Sequence, residues 1–249
     1  MSKAVLINSQ VVTASFFKLH SAKNKWWAFK QMQLGQKQLR DVQGLSFFKI
    51  FGSGAQGGFS ALPNFSTYVI LGVWESEKLA ETFLNANPFF QEYRARCLES
   101  FTVFSQPAEA HGSWDGGNPF DQQTKLNSEQ PVMVLTRARI RFRKLLSFWS
   151  RVNSVSKSLL GYEGALFSIG VGEWPLIQQA TLSLWSSQAE MMDYAYKNKK
   201  HTAVIQLTRK LNWYSEELFA RFLPYRLIGK WEGKEMSDFL SASKTNGCD

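Results

Sequence analysis

The feature that most constrains the fold is an internal repeat. Four landmarks of the first half of the chain recur, in the same order, in the second half. The pairs are Phe51-Gly52-Ser-Gly54 with Ile169-Gly170-Val-Gly172, Leu71-Gly-Val-Trp74 with Leu182-Ser-Leu-Trp185, Phe89-Phe90-Gln-Glu92 with Trp213-Tyr214-Ser-Glu216, and Gly112-Ser-Trp114-Asp-Gly116 with Gly229-Lys-Trp231-Glu232-Gly233. Four ordered matches indicate a tandem duplication.

The distances between landmarks differ in the two halves. Trp74 and Phe89 are 15 positions apart, whereas Trp185 and Trp213 are 28 apart. The sequence therefore predicts about 13 additional residues in the second half, and this extra segment contains His201.

The hydrophobic pattern of each half predicts a ferredoxin-like order of elements, βαββαβ. The predicted first-half elements are a strand at 3–13, a helix at 16–39, strands at 45–51 and 68–74, a helix at 83–98 broken near 87–88, and a strand at 101–104. The second half repeats them as a strand at 132–140, a helix at 142–160, strands at 165–169 and 180–185, a long helix at 188–222, and a strand at 225–228.

Two ferredoxin-like sheets, each covered by helices on one face, can bury their other faces against each other. The sequence therefore predicts an α+β protein in which tandem ferredoxin-like repeats form a pseudo-twofold barrel of the dimeric type within one chain. The predicted divisions are a first repeat at 1–114, a polar linker at 115–130, a second repeat at 131–235, and a frayed polar tail at 236–249.

Composition narrows the classes of partner. The 249 residues carry a net charge of +9, which favours anionic partners such as an acidic protein, anionic lipid headgroups or a cofactor with carboxylates. A solvated basic surface without a specific partner is an equally good interpretation. No RNA-binding or zinc-finger pattern is present, so nucleic acid is not expected. The start of the chain reads as a strand rather than a signal peptide, which predicts a cytoplasmic location.

His201 is the residue with the most chemical information. On a helix it would share a face with Tyr194, Val204, Ile205 and Thr208, so one imidazole would stand in a largely apolar stripe. A proximal haem ligand needs such surroundings, and nearby lysines such as Lys197 could contact haem propionates. A surface histidine at the end of a short loop explains the same pattern.

Arg137, Arg139 and Arg141 alternate along a predicted strand and point to one face. If Arg137 points inward, it is a buried cation that needs a partner, and an arginine above haem-bound oxygen is one interpretation. A basic strand face paired with carboxylates or water is another. Neither glycine segment opens a helix as a dinucleotide fingerprint does, so any redox reaction would take its electrons from a partner protein.

Several of these motifs together resemble the spheroidene monooxygenase family, the acyclic-carotenoid 2-ketolases. The resemblance is strong in the second half and looser in the first, through Gly72-Val-Trp74-Glu75 and His111-Gly-Ser-Trp114. The second-half motifs are Val134-Leu-Thr-Arg137-Ala-Arg-Ile140, Ile169-Gly-Val-Gly-Glu173-Trp174-Pro175, Ser183-Leu-Trp185, Tyr194-Ala-Tyr196 with His201, Glu216-Glu217-Leu-Phe-Ala-Arg221-Phe222, and Gly229-Lys-Trp231-Glu232-Gly233.

The resemblance implies a monooxygenase with non-covalent haem b that uses dioxygen and electrons from ferredoxin. It would place a keto group at C2 of an acyclic carotenoid such as spheroidene. His201 is the implied axial ligand, with Tyr194, Lys197 and Ile205 as cofactor contacts and Arg137 in a catalytic role on the oxygen side. The basic surface suits an acidic ferredoxin and peripheral contact with the inner membrane, from which an apolar substrate is drawn.

The chain departs from the family pattern after His201, where Thr-Ala-Val-Ile replaces an acidic, alanine-rich run. This departure bears on which carotenoid is the substrate. Two alternatives share the expected fold. One is a haem or lipid carrier without redox activity, and the other is a cofactor-free monooxygenase of the related small-barrel type.

Overall fold

The fold is built around an antiparallel sheet that closes on itself. A computed structural model of the chain describes residues 9–55, 62–150, 162, 164–174, 176–197, 207–208 and 210–240. The strands in these residues are β1 (Val11–Leu19), β2 (Leu45–Gly54), β3 (Pro63–Trp74), β4 (Cys97–Gly112), β5 (Val132–Ile140), β6 (Ala165–Trp174), β7 (Gln178–Trp185), β8 (Tyr214–Trp231) and β9 (Lys234–Glu235).

Helices cover the outer face of the sheet. They are α1 (Ala22–Leu39), α2 (Glu77–Ala86), α3 (Pro88–Arg96), a 3₁₀ turn at Phe142–Lys144 that leads into α4, of which residues 145–150 are described, and α5 (Gln188–Lys197). The first three helices pack on the first half of the sheet, and α5 packs on the second.

The strand order confirms the predicted architecture. The first half is ordered β4-β1-β3-β2 and the second β8-β5-β7-β6, which is the same ferredoxin-like order twice. Pairing of β2 with β6 and of β4 with β8 joins the halves at both edges, so eight of the described strands form a closed barrel. The chain is therefore an α+β barrel of two ferredoxin-like repeats.

Strand register relates the two halves by a pseudo-twofold axis. Val11 lies opposite Trp74 as Val132 lies opposite Trp185, which confirms the match between the two tryptophans. Gly52 lies opposite Tyr68 as Gly172 lies opposite Gln179. Gly52 therefore corresponds to Gly172, and the predicted match of Gly52 with Gly170 is wrong by two residues. Because Gly52 and Gly172 also pair with each other across the β2–β6 seam, this pair lies on the axis.

The second seam contains the repeated glycine-tryptophan motif. Gly112 pairs with Leu218 and Gly229 with Phe101, with φ angles of +95° and +103°. A Cβ at Gly112 would lie 2.1 Å from the Glu217 carbonyl oxygen, and one at Gly229 would lie 2.2 Å from the Ser100 carbonyl oxygen. The repeated motif thus marks the two places where β4 and β8 approach too closely for a side chain.

The barrel interior holds the main core. Inward residues alternate with outward ones along each strand, so that Val12, Ala14 and Phe16 of β1 meet Met133 and Leu135 of β5. Outward residues of the first half, including Phe17, Tyr68 and Trp74, pack under α1, α2 and α3. The sheet therefore separates an interior compartment from two helix-covered compartments.

The beginning of the chain differs from the prediction. Residues 1–8 lie outside the described residues, the first strand extends to Leu19, and Phe16, the predicted start of the helix, is buried inside the barrel. The helix begins after Ser21, whose Oγ accepts a hydrogen bond from the Asn24 amide at 3.2 Å. Serine is a preferred helix N-cap residue, and this signal marks the true boundary.

The predicted helix at 188–222 is wrong in its second part. Residues from Tyr214 onward form β8, in which Leu218, Ala220 and Phe222 are buried at every second position. The composition suits a helix, but the alternating burial and pairing with both β4 and β5 favour a strand. The predicted match of Phe89–Arg96, which lies in α3, with the residues after Trp213 is therefore wrong.

The strand offsets also revise the size of the insertion. The interval begins at the equivalent residues Trp74 and Trp185, which are 111 positions apart in the chain. It ends at the equivalent residues Gly112 and Gly229, which are 117 positions apart. The second half is thus six residues longer in this interval rather than 13.

The segments outside the barrel pack against it. Residues 115–130 contain no regular helix or strand, and Phe120 within them contacts Phe222 with ring centroids 4.9 Å apart. Met236 is 1% exposed, and Phe239 and Leu240 pack on the interior core. The predicted frayed tail is therefore wrong for residues 236–240. Residues 241–249 lie outside the described part.

We expect Gly112→Ala to destabilise the protein by about 3 kcal/mol or more, because its Cβ would force apart β4 and β8. Gly116→Ala is the matched control, since Gly116 also has a positive φ (+85°) but has no neighbouring atom within 4 Å of the place that an alanine methyl would occupy. The control should cost about 1 kcal/mol. Urea denaturation followed by circular dichroism measures both, and equal losses would contradict the role of the seam.

Candidate functional site

An apolar pocket lies at the β2–β6 seam, on the outer side of the barrel. Its volume is about 260 Å³, and it opens between α1 and α4. The described residues that line it are Phe29, Met32, Gly52, Ser53, Gly54, Leu62, Pro63, Asn64, Phe65, Tyr68, Trp149, Gly172, Leu176 and Gln179. The walls come from both halves of the chain, so the barrel must close before the pocket exists.

The floor of the pocket is the pair of glycines on the pseudo-twofold axis. A Cβ at Gly52 would lie 3.3 Å from the Met32 sulfur, and one at Gly172 would lie 3.0 Å from the Gln178 carbonyl oxygen. The absence of side chains at these two positions leaves the space between α1 and α4 open. Ser53 is fixed beside them, because its Oγ donates a hydrogen bond to the Gly170 carbonyl at 3.1 Å.

Two polar groups in the pocket wall, the Tyr68 hydroxyl and the Trp149 indole N–H, already have protein partners. The Tyr68 hydroxyl donates to the Lys25 carbonyl at 3.2 Å, and burial raises its pKa, so it stays protonated. Trp149 Nε1 donates to the Leu176 carbonyl at 3.1 Å. Because these groups are satisfied by the protein, the pocket offers mainly apolar surface to a ligand.

The second candidate site is polar and lies inside the barrel, at one of its ends. We name it the charged end (Lys49, Asp115, Arg137, Glu173 and Glu216). The Arg137 side chain is fully buried and forms a close ion pair with Glu216. Its Nε lies 3.7 Å from Glu173, and one Nη lies 3.8 Å from Asp115. Lys49 lies 2.8 Å from Glu173. Three carboxylates therefore surround two cations.

Trp114 forms a wall of the charged end. Its Nε1 donates to Glu173 at 3.0 Å, and the Arg137 guanidinium lies 5.4 Å from its ring centroid. The repeat thus places a motif tryptophan against the buried arginine. The prediction that an inward Arg137 needs a partner is met by Glu216 of β8.

Glu216 is held in its ionised form. Burial raises its pKa, but hydrogen bonds from Arg137 and the Gly116 amide, together with the positive charge of Arg137, outweigh burial and lower the pKa to about 2. The Gly116 amide donates to Glu216 at 2.9 Å. Glu216 therefore ties the 113–117 turn to the buried arginine.

The other end of the barrel has an aromatic residue at the position that corresponds to Arg137. Strand register places Phe16 in β1 where Arg137 stands in β5. Phe16 stacks on Phe101 at 4.4 Å, and Phe167 and Trp231 pack around them. We name this cluster (Phe16, Phe101, Phe167 and Trp231) the aromatic end. One duplicated position is thus a buried arginine in the second half and a phenylalanine in the first.

Arg137 and Tyr194 lie on opposite faces of the sheet. Arg137 points into the barrel, whereas Tyr194, on the buried side of α5, packs outside the barrel with Val132 and Val134. Tyr194 is 5% exposed, and its ring lies 5.3 Å from both Trp185 and Tyr162. The structure therefore does not bring these two predicted site residues together.

Of the other predicted cofactor contacts, the structure describes only Lys197. The Lys197 side chain is 77% exposed and its ammonium pairs with Asp193 at 2.7 Å. His201 and Ile205 lie outside the described residues, as does the segment that links them to α5. The cofactor-binding roles of these residues and the catalytic role of Arg137 stay predictions.

The described histidines do not suit a buried haem. His20 is exposed, and His111 is exposed and hydrogen-bonded to Glu109 at 2.8 Å. Within the described ranges, no three His, Cys, Asp or Glu side chains are grouped to hold a metal ion. The fit of haem to this chain therefore depends on His201 and not on the residues described around α5.

Sequence reasoning missed the pocket and most of the charged end. The sequence places Glu173 beside a turn and Glu216 in a helix, so neither suggests a partner for Arg137. The signal that could find Glu216 is its even spacing from Leu218 and Phe222. Apolar residues at every second position are typical of a strand, and Glu216 lies on the same face as these two. No local signal marks the pocket, since Gly52 and Gly172 meet only when β2 pairs with β6.

The fold and these two centres define the class, a single-chain α+β barrel with an external apolar pocket at the repeat seam. The crystal structure of an aldoxime dehydratase is similar, with a TM-score of 0.64, 10% identity, and coverage of 95% of this chain and 89% of that one. A second aldoxime dehydratase, crystallised with butyraldoxime, gives a TM-score of 0.61 at 8% identity, with coverage of 94% and 85%. At this identity the likeness concerns the fold alone.

Sequence comparison identifies the family. The spheroidene monooxygenase of Cereibacter sphaeroides is 36% identical over 227 residues, which is 91% of this chain and 70% of the relative. The Rhodobacter capsulatus protein of the same name is 34% identical, and the match covers 90% of this chain and 94% of the relative. No protein-family model matches the chain. The chain belongs to the spheroidene monooxygenase family.

The charged end predicts a defined dependence of stability on pH. Because the pKa of Glu216 is lower in the folded protein than its usual 4.5, the ionised carboxylate stabilises the fold above pH 4.5. This contribution should be lost as the pH falls from about 4.5 to about 2.

Glu216→Gln should remove that part of the pH dependence. It should also cost about 3 kcal/mol at neutral pH, because Arg137 would remain buried without its closest carboxylate, and Glu173 and Asp115 are 3.7 and 3.8 Å away. The matched control is Glu217→Gln, the exposed neighbour on the other face of β8. Urea midpoints at several pH values measure the effect, and identical profiles for the two variants would contradict it.

Proposed function

We propose that this chain is a monooxygenase that uses dioxygen to place a keto group at C2 of an acyclic carotenoid such as spheroidene. Membership of a family whose relatives are named spheroidene monooxygenases supports the reaction class. The observation that carries the substrate class is the apolar pocket at the β2–β6 seam, in which Tyr68 and Trp149 direct their polar groups to protein partners. An unfunctionalised polyene needs such a surface.

The chemistry of the product sets the number of turnovers. Conversion of a methylene group into a ketone takes two successive monooxygenations. Each consumes one dioxygen, two electrons and two protons and releases one water. The resulting geminal diol then loses water to give the ketone. The enzyme must therefore retain or rebind the singly hydroxylated product, and the pocket between α1 and α4 would favour retention.

Electrons would come from ferredoxin, as the resemblance implies. The net charge of +9 supports an acidic electron donor, because opposite charges steer the two proteins together. The same charge supports peripheral contact with an anionic membrane, where a hydrocarbon substrate resides.

The prosthetic group that we propose is non-covalent haem b, with His201 as its axial ligand. Of the three histidines, His20 and His111 are exposed, which leaves His201 as the candidate. Haem, when bound, would supply the iron centre that activates dioxygen and carries the oxidation. The residues of this chain would bind the polyene, exclude water from it and hold its end in place.

His201→Ala should abolish the Soret absorption band of protein expressed with haem precursor, because the axial nitrogen is lost. The matched control is His111→Ala, because the imidazole of His111 is exposed and bonded to Glu109. Ultraviolet–visible spectra of the purified wild type and both variants test the assignment. A folded wild type without a Soret band would contradict haem and favour the cofactor-free monooxygenase.

Turnover separates an enzyme from a carrier. A haem protein that oxidises spheroidene with reduced ferredoxin and dioxygen is the proposed enzyme. A haem protein that binds the carotenoid without oxidising it is the carrier alternative.

Gln179→Trp should lower kcat/KM for the carotenoid about tenfold, because the indole would fill the pocket and overpacking costs about 1–3 kcal/mol. Gln178→Trp is the control, since adjacent residues of β7 point to opposite faces and Gln178 does not line the pocket. Product formation by chromatography gives both values. Equal activity in the two variants would place the substrate elsewhere.

A further inference from the structure

The outward face of α1 combines large apolar side chains with lysines. Trp26, Phe29 and Leu34 are 61%, 39% and 51% exposed. The exposed lysines on the same face, spaced two helical turns apart, are Lys23, Lys30 and Lys37. We name these six residues the α1 docking face. The opposite side of the helix is buried on the sheet through Ala28, Gln31, Gly35 and Leu39.

The α1 docking face has a uniform charge. None of the 18 residues of α1 is Asp or Glu. Residues four apart are neighbours on a helix, so Lys30 lies beside both Trp26 and Leu34. The exposed apolar side chains therefore have cations next to them and no acidic residue of the same helix to neutralise those cations.

The α1 docking face borders the mouth of the apolar pocket. The Trp26 ring stacks on Phe29 at 5.6 Å, and Phe29 contacts Phe65 at 5.5 Å. Phe29, Phe65 and the 70% exposed Leu62 line the pocket, and Trp174 of the second half is 66% exposed near the Leu176 turn. The apolar surface thus continues from the helix into the pocket.

An exposed apolar patch of this kind marks an interaction site. Trp, Phe and Leu with flanking lysines on one face of a helix are typical of segments that lie parallel to a membrane and bind its interface. No helix in the described ranges has the length and hydrophobicity needed to cross a bilayer. The lysines complement anionic headgroups, while the apolar side chains would enter the acyl boundary.

We propose that the α1 docking face binds the surface of an anionic phospholipid bilayer and sets the mouth of the apolar pocket against it. The inference deepens the proposed function and rests on it for one point, that the pocket receives a hydrocarbon. Lipid is favoured over an acidic protein because three large apolar side chains, and not the lysines alone, face outward. A bilayer would accept both kinds of group.

The test is co-sedimentation of the full chain with vesicles of phosphatidylcholine, with and without phosphatidylglycerol. Trp26→Ser/Leu34→Ser should lower partitioning into anionic vesicles about tenfold or more, since both side chains leave the acyl boundary. Lys30→Gln should lower it about fivefold on anionic vesicles and leave binding to neutral vesicles unchanged. Trp26, Leu34 and Lys30 do not line the pocket.

Two controls lie at the opposite seam of the barrel. Ile228 is 47% exposed on β8, which three strands separate from β2, and Ile228→Ser should leave partitioning unchanged. Lys125 is exposed in a segment that hydrogen-bonds to Pro107 of β4, and Lys125→Gln matches the charge change. Circular dichroism confirms that each variant is folded.

Wild-type partitioning that is equal on both vesicle types, or unaffected in the Trp26→Ser/Leu34→Ser variant, would overturn the inference. Variants that keep vesicle binding but lose electron transfer from ferredoxin would also overturn it, because the face would then be a protein-docking surface. Carotenoid turnover in detergent separates the two proposals. Vesicle binding without turnover by the wild type would overturn the proposed function alone.

Discussion

The pairing of β4 with β8 is the interaction on which the rest of the structure depends. It joins the ends of the two ferredoxin-like orders over most of both strands, and it leaves room for no side chain at Gly112 or Gly229. The closed barrel buries the interior core and brings β2 to β6, where the pairing covers only Gly52 to Gly172 and Ser53 to Val171. A long seam on one side thus permits a short one on the other, and the pocket lies at the short seam.

Much of this architecture could be predicted because short sequence motifs mark equivalent positions in the two halves. Trp74 and Trp185 end equivalent strands, and the Gly112 and Gly229 motifs have nearly the same backbone conformation because both lie at the long seam. Prediction failed where tertiary pairing overrides local preference. Glu216 to Phe222 has the composition of a helix, yet β4 and β5 bond to it from both sides. Phe16 is similarly predicted to start a helix, but its side chain packs inside the barrel.

The functional centres were less predictable, because each requires residues that are distant in the sequence. Strand alternation placed Arg137 on one face of a strand but left open whether that face is buried. Its partner Glu216 is 79 residues away on a strand whose composition suits a helix. The pocket needs Phe29, Phe65 and Trp149, which no spacing rule connects. By contrast, the exposed tryptophan and lysines of α1 are a local pattern, although their position beside the pocket is a property of the fold.

The difference between the two barrel ends has a consequence for how such a protein can change. In a dimer of identical halves, every substitution appears twice, so a buried arginine at one end would be accompanied by a second at the other. A single chain with duplicated halves is free of this constraint. Phe16 can keep one end apolar and tightly packed while Arg137 introduces charge at the other. Because the halves are covalently linked, one copy of a duplicated position can provide apolar packing while the other provides a buried charge.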